Sequence, residues 1–469
     1  MCKYVSAFPL ALSHLRRWEN SRNATTTHSP QDTTIDAVHL MSETGLLTSS
    51  IQYGVVARSL PLTGKVLKGY LDAAGTGLGI GNPNVEFTPN VSTCTLASDG
   101  GTAKAFWGKR NGEVAVTTAA RVMDPGRASS KLVRCKLQEQ HDGAVNEIAL
   151  DPVGTRFISG GADGQLKLWD TKTVVCLWSS DRQHQSLVVD PFLKVSSALT
   201  DGVIIGALDS GDILLWSSST HLLLSDDVST PISFSQHRIT LPIPKGQFPP
   251  QDVVASKPKP SILRVRRHSE MTAALLIGYS DHPFFYRVVI DLTSGKYETT
   301  AFGDPSFGNN SIVEPVFATQ PDDYSFVITG GQLGSVDIYD WDAPKTSSSV
   351  TAARKCYAHE DGAVTALTWS PLVLATGFAF GTTVIWDSLT LEPLRLFSSP
   401  VRPGRELEGV SKIVVAKELL IIVVDNRVMS WKVGAARSRD TPHKSKHSRA
   451  KKNQLSKGQR THVSLMCSC

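Results

Sequence analysis

The chain has 469 residues, of which 19% are charged and 7% aromatic, and a formal net charge of +5. Ala436 to Arg460 carries nine Lys and Arg against one Asp, so the rest of the chain is weakly acidic. That balance argues against a general nucleic-acid binder, and no apolar run approaches the roughly 18 residues of a membrane-spanning helix.

Tyr4 to Leu12 is mildly apolar, is broken by Pro9 and leads into Arg16 and Arg17. It lacks a small-x-small cleavage site, which predicts a short helix in place of a secretory leader. Asn20 to Thr34 is polar and Thr-rich, so residues 1–50 are assigned to an N-terminal extension. The next strand-forming runs are Ile51 to Leu60 (IQYGVVARSL) and Lys65 to Leu71. Ala74 to Asn82 (AGTGLGIGN) is glycine-rich, but no Gly-Lys-Ser/Thr follows and no acidic residue closes a β-α-β unit. It reads as a surface loop, not as a phosphate cradle.

His141 to Asp170 (HDGAVNEIALDPVGTRFISGGADGQLKLWD) combines a His, two β-type runs, an Asp-Gly turn and a closing Trp-Asp. A weaker copy, HEDGAVTALTWSPLVLATGFAFGTTVIWD, runs from His359 to Asp387. Equivalent third-strand positions fall at Thr117, Trp169, Trp216, Ile290, Tyr339, Trp386 and Trp431, at intervals of 52, 47, 74, 49, 47 and 45 residues. Most of these runs follow a Gly, Asn or Asp turn, as strands after tight hairpins do. The long interval contains Pro231, Pro242, Pro244, Pro249, Pro250, Pro258 and Pro260, which predicts a loop insertion over 222–260, because proline cannot donate to a paired sheet. After Trp431 the chain turns basic and polar, leaving the last sheet one strand short. A strand from about 51–71 is expected to complete it and remove the open edge. The folded body is thus placed at 51–433. The tail, 434–469, is disordered on composition, with a candidate nuclear import signal around Arg449, Lys451 and Lys452.

The two copies resemble WD40 repeats. The likeness is motif-specific in those segments and extends by period over most of Val91 to Lys432. It implies an all-β fold, a seven-bladed WD40-type β-propeller with an N-terminal extension and a disordered basic C-terminal tail. In such blades a strand-c Trp, a strand-b Ser, a His and a turn Asp form a hydrogen-bonded tetrad. Here these are Trp169, Ser159, His141 and Asp163. A Ser-His-Asp hydrolase reading fails, because all three lie within one repeat and no G-x-S-x-G elbow holds the Ser. In the second copy Thr376 and Trp386 match, but Phe380 replaces the Asp. Thr329 pairs with Tyr339 where Leu333 stands at the Asp place. The resemblance also places the loops joining strands d–a and b–c around one mouth of the ring. They carry Arg110, Asn111, His141, Asp142, Asp361 and Phe380 as the expected partner-binding face.

No H-E-x-x-H, C-x-x-C pair or EF-hand loop is present, so no catalytic, metal-binding or cofactor-binding residue is assigned. The seven cysteines (Cys2, Cys94, Cys135, Cys176, Cys356, Cys467 and Cys469) are scattered and odd in number, which points to a reducing compartment, cytoplasm or nucleus. Three N-terminal stretches, RRWENSRNATTTHSP from Arg16, QYGVVARSLPLTGKVLKGYLD and GNPNVEFTPN, resemble the linker that precedes the propeller in fungal F-box/WD-repeat proteins. That likeness implies a substrate receptor of an SCF-type ubiquitin ligase, with a Skp1-like adaptor and a cullin as partners. The helical, Leu/Pro-rich F-box itself has no counterpart before Ile51. The reading is therefore a non-catalytic protein-interaction scaffold for a protein or peptide ligand, with no membrane partner. The alternatives are the ligase receptor, and an RNA-processing or ribosome-biogenesis scaffold using the basic tail for any nucleic-acid contact.

Overall fold

Strand-forming runs and tight turns alternate along the chain and assemble into eight antiparallel sheets. The structure, a computed structural model, describes residues 12–42, 44–75, 90–124, 130–151, 154–180, 189–218, 234–241, 259–279, 281–317, 324–345, 349–357, 362–401 and 408–434. All lie in the unit 1–434; the second unit, 435–469, contains none of them. Blade 1 spans 37–72, blade 2 91–134, blade 3 145–179, blade 4 192–239, blade 5 260–302, blade 6 310–357 and blade 7 364–397. Blade 8 spans 410–432 and takes its outer strand from Thr26–His28. In every blade the first strand (a) is innermost, and apolar clusters fill the space between neighbours. One joins Phe106 and Val116 of blade 2 to Phe157 and Trp169 of blade 3. Another, containing Leu46, Leu419 and Ile421, joins blade 1 to blade 8 and closes the ring.

The ring therefore has eight blades, not seven. All seven positions found by spacing are third strands, but the run at 51–71 does not close the last blade. Val55–Leu60 is the third strand of a further blade, built on Ala37–Ser42 and Gly45–Ser50. Folded sheet thus begins inside the supposed extension. Blade 1 is hard to recognise because Ser59, opposite Leu46, stands where Trp169 stands opposite Phe157. Its outer strand is split into Lys65–Val66 and Leu71–Asp72. The buried Arg58 guanidinium bridges that split, donating to the carbonyls of Lys68, Gly69 and, in blade 2, Val122.

The proline-rich interval is also more than a loop. Ser235–Ile239 pairs with Ile213–Ser217 as the outer strand of blade 4, and Pro260 opens blade 5. Its edge position makes the proline tolerable, since no ladder hydrogen bond is lost inside a sheet. Most of the other prolines in the interval, and the glycine run beyond Gly75, lie outside the described residues.

Seven blades share a device that blade 1 lacks. Strand a carries a β-bulge immediately after its first residue. In four of them the bulged side chain bonds the first strand-a carbonyl of the next blade: Ser92 to Val145 (2.6 Å), Asn146 to Phe192 (2.8 Å), Ser311 to Val364 (2.5 Å) and Thr365 to Val410 (2.7 Å). The same junction demands a glycine on strand b. A Cβ at Gly330 or Gly377 would lie 2.5 Å from Val364 or Val410 of the following blade. Gly377→Ala is expected to destabilise the protein by about 1–3 kcal/mol through overpacking, read as a lower thermal midpoint. An unchanged midpoint would contradict this packing.

The N-terminal residues act as a clasp. Residues 12–20 are helical, slightly downstream of the predicted helix, whose residues before 12 lie outside the described ones. Trp18 is buried and packs on Trp431 of blade 8 at 5.4 Å between ring centroids. Arg395 of blade 7 donates to the carbonyls at the helix end, Trp18 (3.1 Å) and Glu19 (2.8 Å), and also to that of Ser21. Arg17 bonds Glu418 (2.9 Å) and the Gly434 carbonyl (3.0 Å), and Asn23 bonds the Lys432 carbonyl (2.9 Å).

Candidate protein-interaction face

Blade 3 shows the full polar tetrad. Trp169 Nε1 donates to Ser159 Oγ (2.8 Å), which lies 2.8 Å from His141 Nε2, and His141 Nδ1 lies 3.0 Å from Asp163 Oδ1. Asp163 also accepts the backbone N–H groups of Asp142 (3.0 Å) and Gln165 (3.1 Å). Burial alone raises the Asp163 carboxyl, but the His141 hydrogen bond and charge, with those two N–H groups, hold it below its ordinary value. The hydroxyl is enclosed with no open space beside it for a substrate, and Ser159 and Trp169 are fully buried. The network satisfies buried polar groups and pins two turns together.

Other blades keep parts of it. Trp386 donates to Thr376 (2.8 Å) in blade 7. Blade 2 holds the pair in reverse: Trp107 on strand b donates to Thr117 on strand c (2.9 Å), and Thr117 donates to the Asp72 carbonyl of blade 1. Spacing alone located Thr117 but missed its partner, because the residue types had exchanged strands. In blade 8, Trp431 Nε1 donates to the Asn23 carbonyl of the clasp (3.1 Å).

The structure brings four of the six expected face residues together. Arg110 and Asn111 are exposed in the b–c turn of blade 2, whose base is a buried ion pair, Lys109 Nζ to Glu113 Oε1 at 2.7 Å. Gly112 follows at φ +86°, and its carbonyl accepts the N–H of His141 (3.0 Å). A Cβ there would lie 1.9 Å from the His141 oxygen, so this turn requires glycine. Asp142 is exposed beside it, whereas the His141 side chain is fully buried and serves the tetrad, not the surface. Phe380 is 47% exposed on the same face but belongs to blade 7, three blades away around the ring. Asp361 lies outside the described residues. Leu333, read only as a missing Asp, is 77% exposed on blade 6.

The channel wall is polar. Lys194 pairs with Glu147 (3.0 Å), and both line a cavity of about 240 Å³ with Arg264 and Glu314. Burial raises both glutamates, opposed by Lys194 and Arg264 at Glu147 and by Arg264 and Lys412 at Glu314. Burial likewise lifts the thiols of Cys94 to about 12 and of Cys176 and Cys356 to about 11, leaving them poor nucleophiles at neutral pH. Among the described residues no group of three or more His, Cys, Asp or Glu has the arrangement to hold a metal. No helix among them is long and apolar enough to cross a membrane.

These blades and bulges, with the complete tetrad of blade 3, define a WD40-type β-propeller. Residues 132–170, the segment around the complete tetrad, match the family described as WD40: WD domain, G-beta repeat. A stretch of 75 residues is 36% identical to ribosome biogenesis protein erb1 of Botryotinia fuckeliana (strain B05.10), covering 16% of this chain and 9% of that protein. The match therefore spans less than a tenth of that relative's length. The computationally designed Ika8 protein, known from its crystal structure, superposes with a TM-score of 0.54 at 18% identity, covering 87% of this chain and 99% of that one. That likeness concerns the fold alone.

Proposed function

We propose that the propeller is a protein-interaction scaffold whose face of b–c turns and d–a loops receives a protein or peptide. The observation that carries this is the rigid mounting of exposed Arg110, Asn111 and Asp142 on the buried Lys109–Glu113 pair and the tetrad. Loops held by a stiff ring present side chains with little ordering penalty on binding. Arg110→Glu combined with Asp142→Arg is expected to remove proteins that co-purify with the tagged chain while leaving its melting temperature intact. Retention of every partner would argue against this face.

A second reading is an assembly role in ribosome biogenesis, in the nucleus. It draws on the likeness to erb1 and on the basic composition of Ala436 to Arg460. The ubiquitin-ligase receptor remains a proposal from family resemblance, and the described N-terminal residues are engaged in closing the ring. Mass spectrometry of the purified assembly separates the two. Ribosome-assembly factors support the first, and a Skp1-like adaptor with a cullin supports the second.

A further inference from the structure

Blade 6 has no histidine in the loop that precedes it, and the space at its mouth is filled differently from that of blade 3. Thr329 and Tyr339 occupy the Ser and Trp places, and a cavity of about 10 Å³, room for one water, opens between blades 5 and 6. Asp304, Asn309, Asn310, Ser335, Asp337 and Lys355 are among its lining residues. Asp337 is 5% exposed, and its Oδ1 has no hydrogen-bond partner. The nearest cation, Lys355 Nζ, stands 3.9 Å away, beyond hydrogen-bond reach. Asp304 sits at the same opening and uses one oxygen, Oδ1, to cap Ser306. Two carboxylates thus face one lysine, and a buried carboxylate oxygen without a donor is an unfilled acceptor. Beside the opening, Leu333 is 77% exposed and lies against Gly308.

We propose that this pocket receives the ammonium or guanidinium group of a Lys or Arg side chain from a partner protein, with an apolar neighbour of that residue resting on Leu333. The incoming group displaces the water-sized volume and moves Lys355, whose side chain lies partly exposed on the outer strand, toward solvent. It then donates to Asp337 Oδ1 and to Asp304. The inference rests on the scaffold reading and adds the chemistry of the anchor and its place, on blades 5 and 6.

The test selects binders to the full chain from a displayed random peptide library and measures the enriched peptides, synthesised, against wild type, Asp337→Asn, Asp304→Asn and Leu333→Ser. Enriched peptides should share a basic residue next to an apolar one. Asp337→Asn, or norleucine in place of that peptide lysine, should each weaken binding by about tenfold or more, the scale of losing a desolvated charge pair. Should Asp337→Asn fold poorly, Asp304→Asn at the exposed rim and the norleucine peptide read the same contact. Peptides that bind both Asp variants as tightly as wild type overturn the pocket and leave the scaffold reading standing. A library that yields no binder at all overturns both.

Discussion

Trp18→Ala is expected to destabilise the protein by about 3–5 kcal/mol, the range of buried aromatic truncations. The side chain is 1% exposed and fills the seam where blades 7 and 8 meet the N-terminal clasp. It packs at a tilt against Trp431, which also meets Phe397 at 5.3 Å and carries the Arg395 guanidinium 4.8 Å from its ring centroid. Arg395 in turn holds the carbonyls of Trp18 and Glu19, so the loss reaches a hydrogen-bonded and cation–π assembly and not one contact. Once the clasp loosens, Thr26–His28 leaves strand c of blade 8, and Arg427–Lys432 becomes an open edge prone to pairing with other chains. Denaturant unfolding should show the lowered midpoint, and limited proteolysis should cut first near residue 28. Trp18→Phe, which keeps most of the apolar area, should recover more than half of the loss. An alanine variant that melts like wild type would mean that the clasp is an accessory.

Trp169→Ala is expected to be of similar size, about 3–5 kcal/mol, and to act through a second route. The ring lies nearly parallel to Phe157 (centroids 6.2 Å apart, 15° between planes), in the core between blades 2 and 3. Its removal leaves a cavity and also takes the donor from Ser159, which then holds only His141. Trp386 serves as the internal comparison. Its hydrogen bond reaches Thr376, but the residue at the Asp place is Phe380, so the carboxylate that anchors the blade 3 network has no counterpart at that position. Trp386→Ala should therefore cost less than Trp169→Ala. Equal losses in calorimetry would show that aromatic burial alone matters and that the tetrad adds nothing measurable.

Third strands were legible where an apolar run followed a turn and led to a bulky residue, which located the six from Trp169 to Trp431, and the repeat spacing added Thr117. Blade 1 escaped because Ser59 stands at the place of the bulky residue in its third strand, Val55–Leu60, and its split outer strand is tied by a buried guanidinium that no periodicity announces. The closing strand escaped for another reason. Thr26–His28 is three polar residues long, and a short outer strand gains its place from its partner Arg427–Lys432, not from its own propensity. The repeat could have been read from a signal other than tryptophan: Val91-Ser92, Val145-Asn146, Val364-Thr365 and Val410-Ser411 open strand a. Gly108, Gly160, Gly330 and Gly377 sit near the ends of strand b. The complete tetrad was legible because its residue types and spacing are jointly rare. Of the residues proposed for the interaction face, the exposed turn of Arg110 and Asn111 was legible, whereas the burial of the His141 side chain, packed beside the Gly112 turn, was not.

The ring is sealed by a pairing of residues 404 positions apart, Thr26 with Ser430. During synthesis the segment that seals the propeller leaves the ribosome before any of the eight inner hairpins, and the edge it needs leaves after the first seven blades are complete. Seven blades can zip outward through local hairpins, but the seal waits until Arg427–Lys432 has been made, the slowest kind of contact to form. Until then the young protein carries two unsatisfied ends, a free polar strand and a half-built sheet. In that interval a chaperone, or the wrong neighbour, has its opportunity. Any nonsense mutation before residue 427 therefore harms more than blade 8: it also deprives Thr26–His28 of its partner.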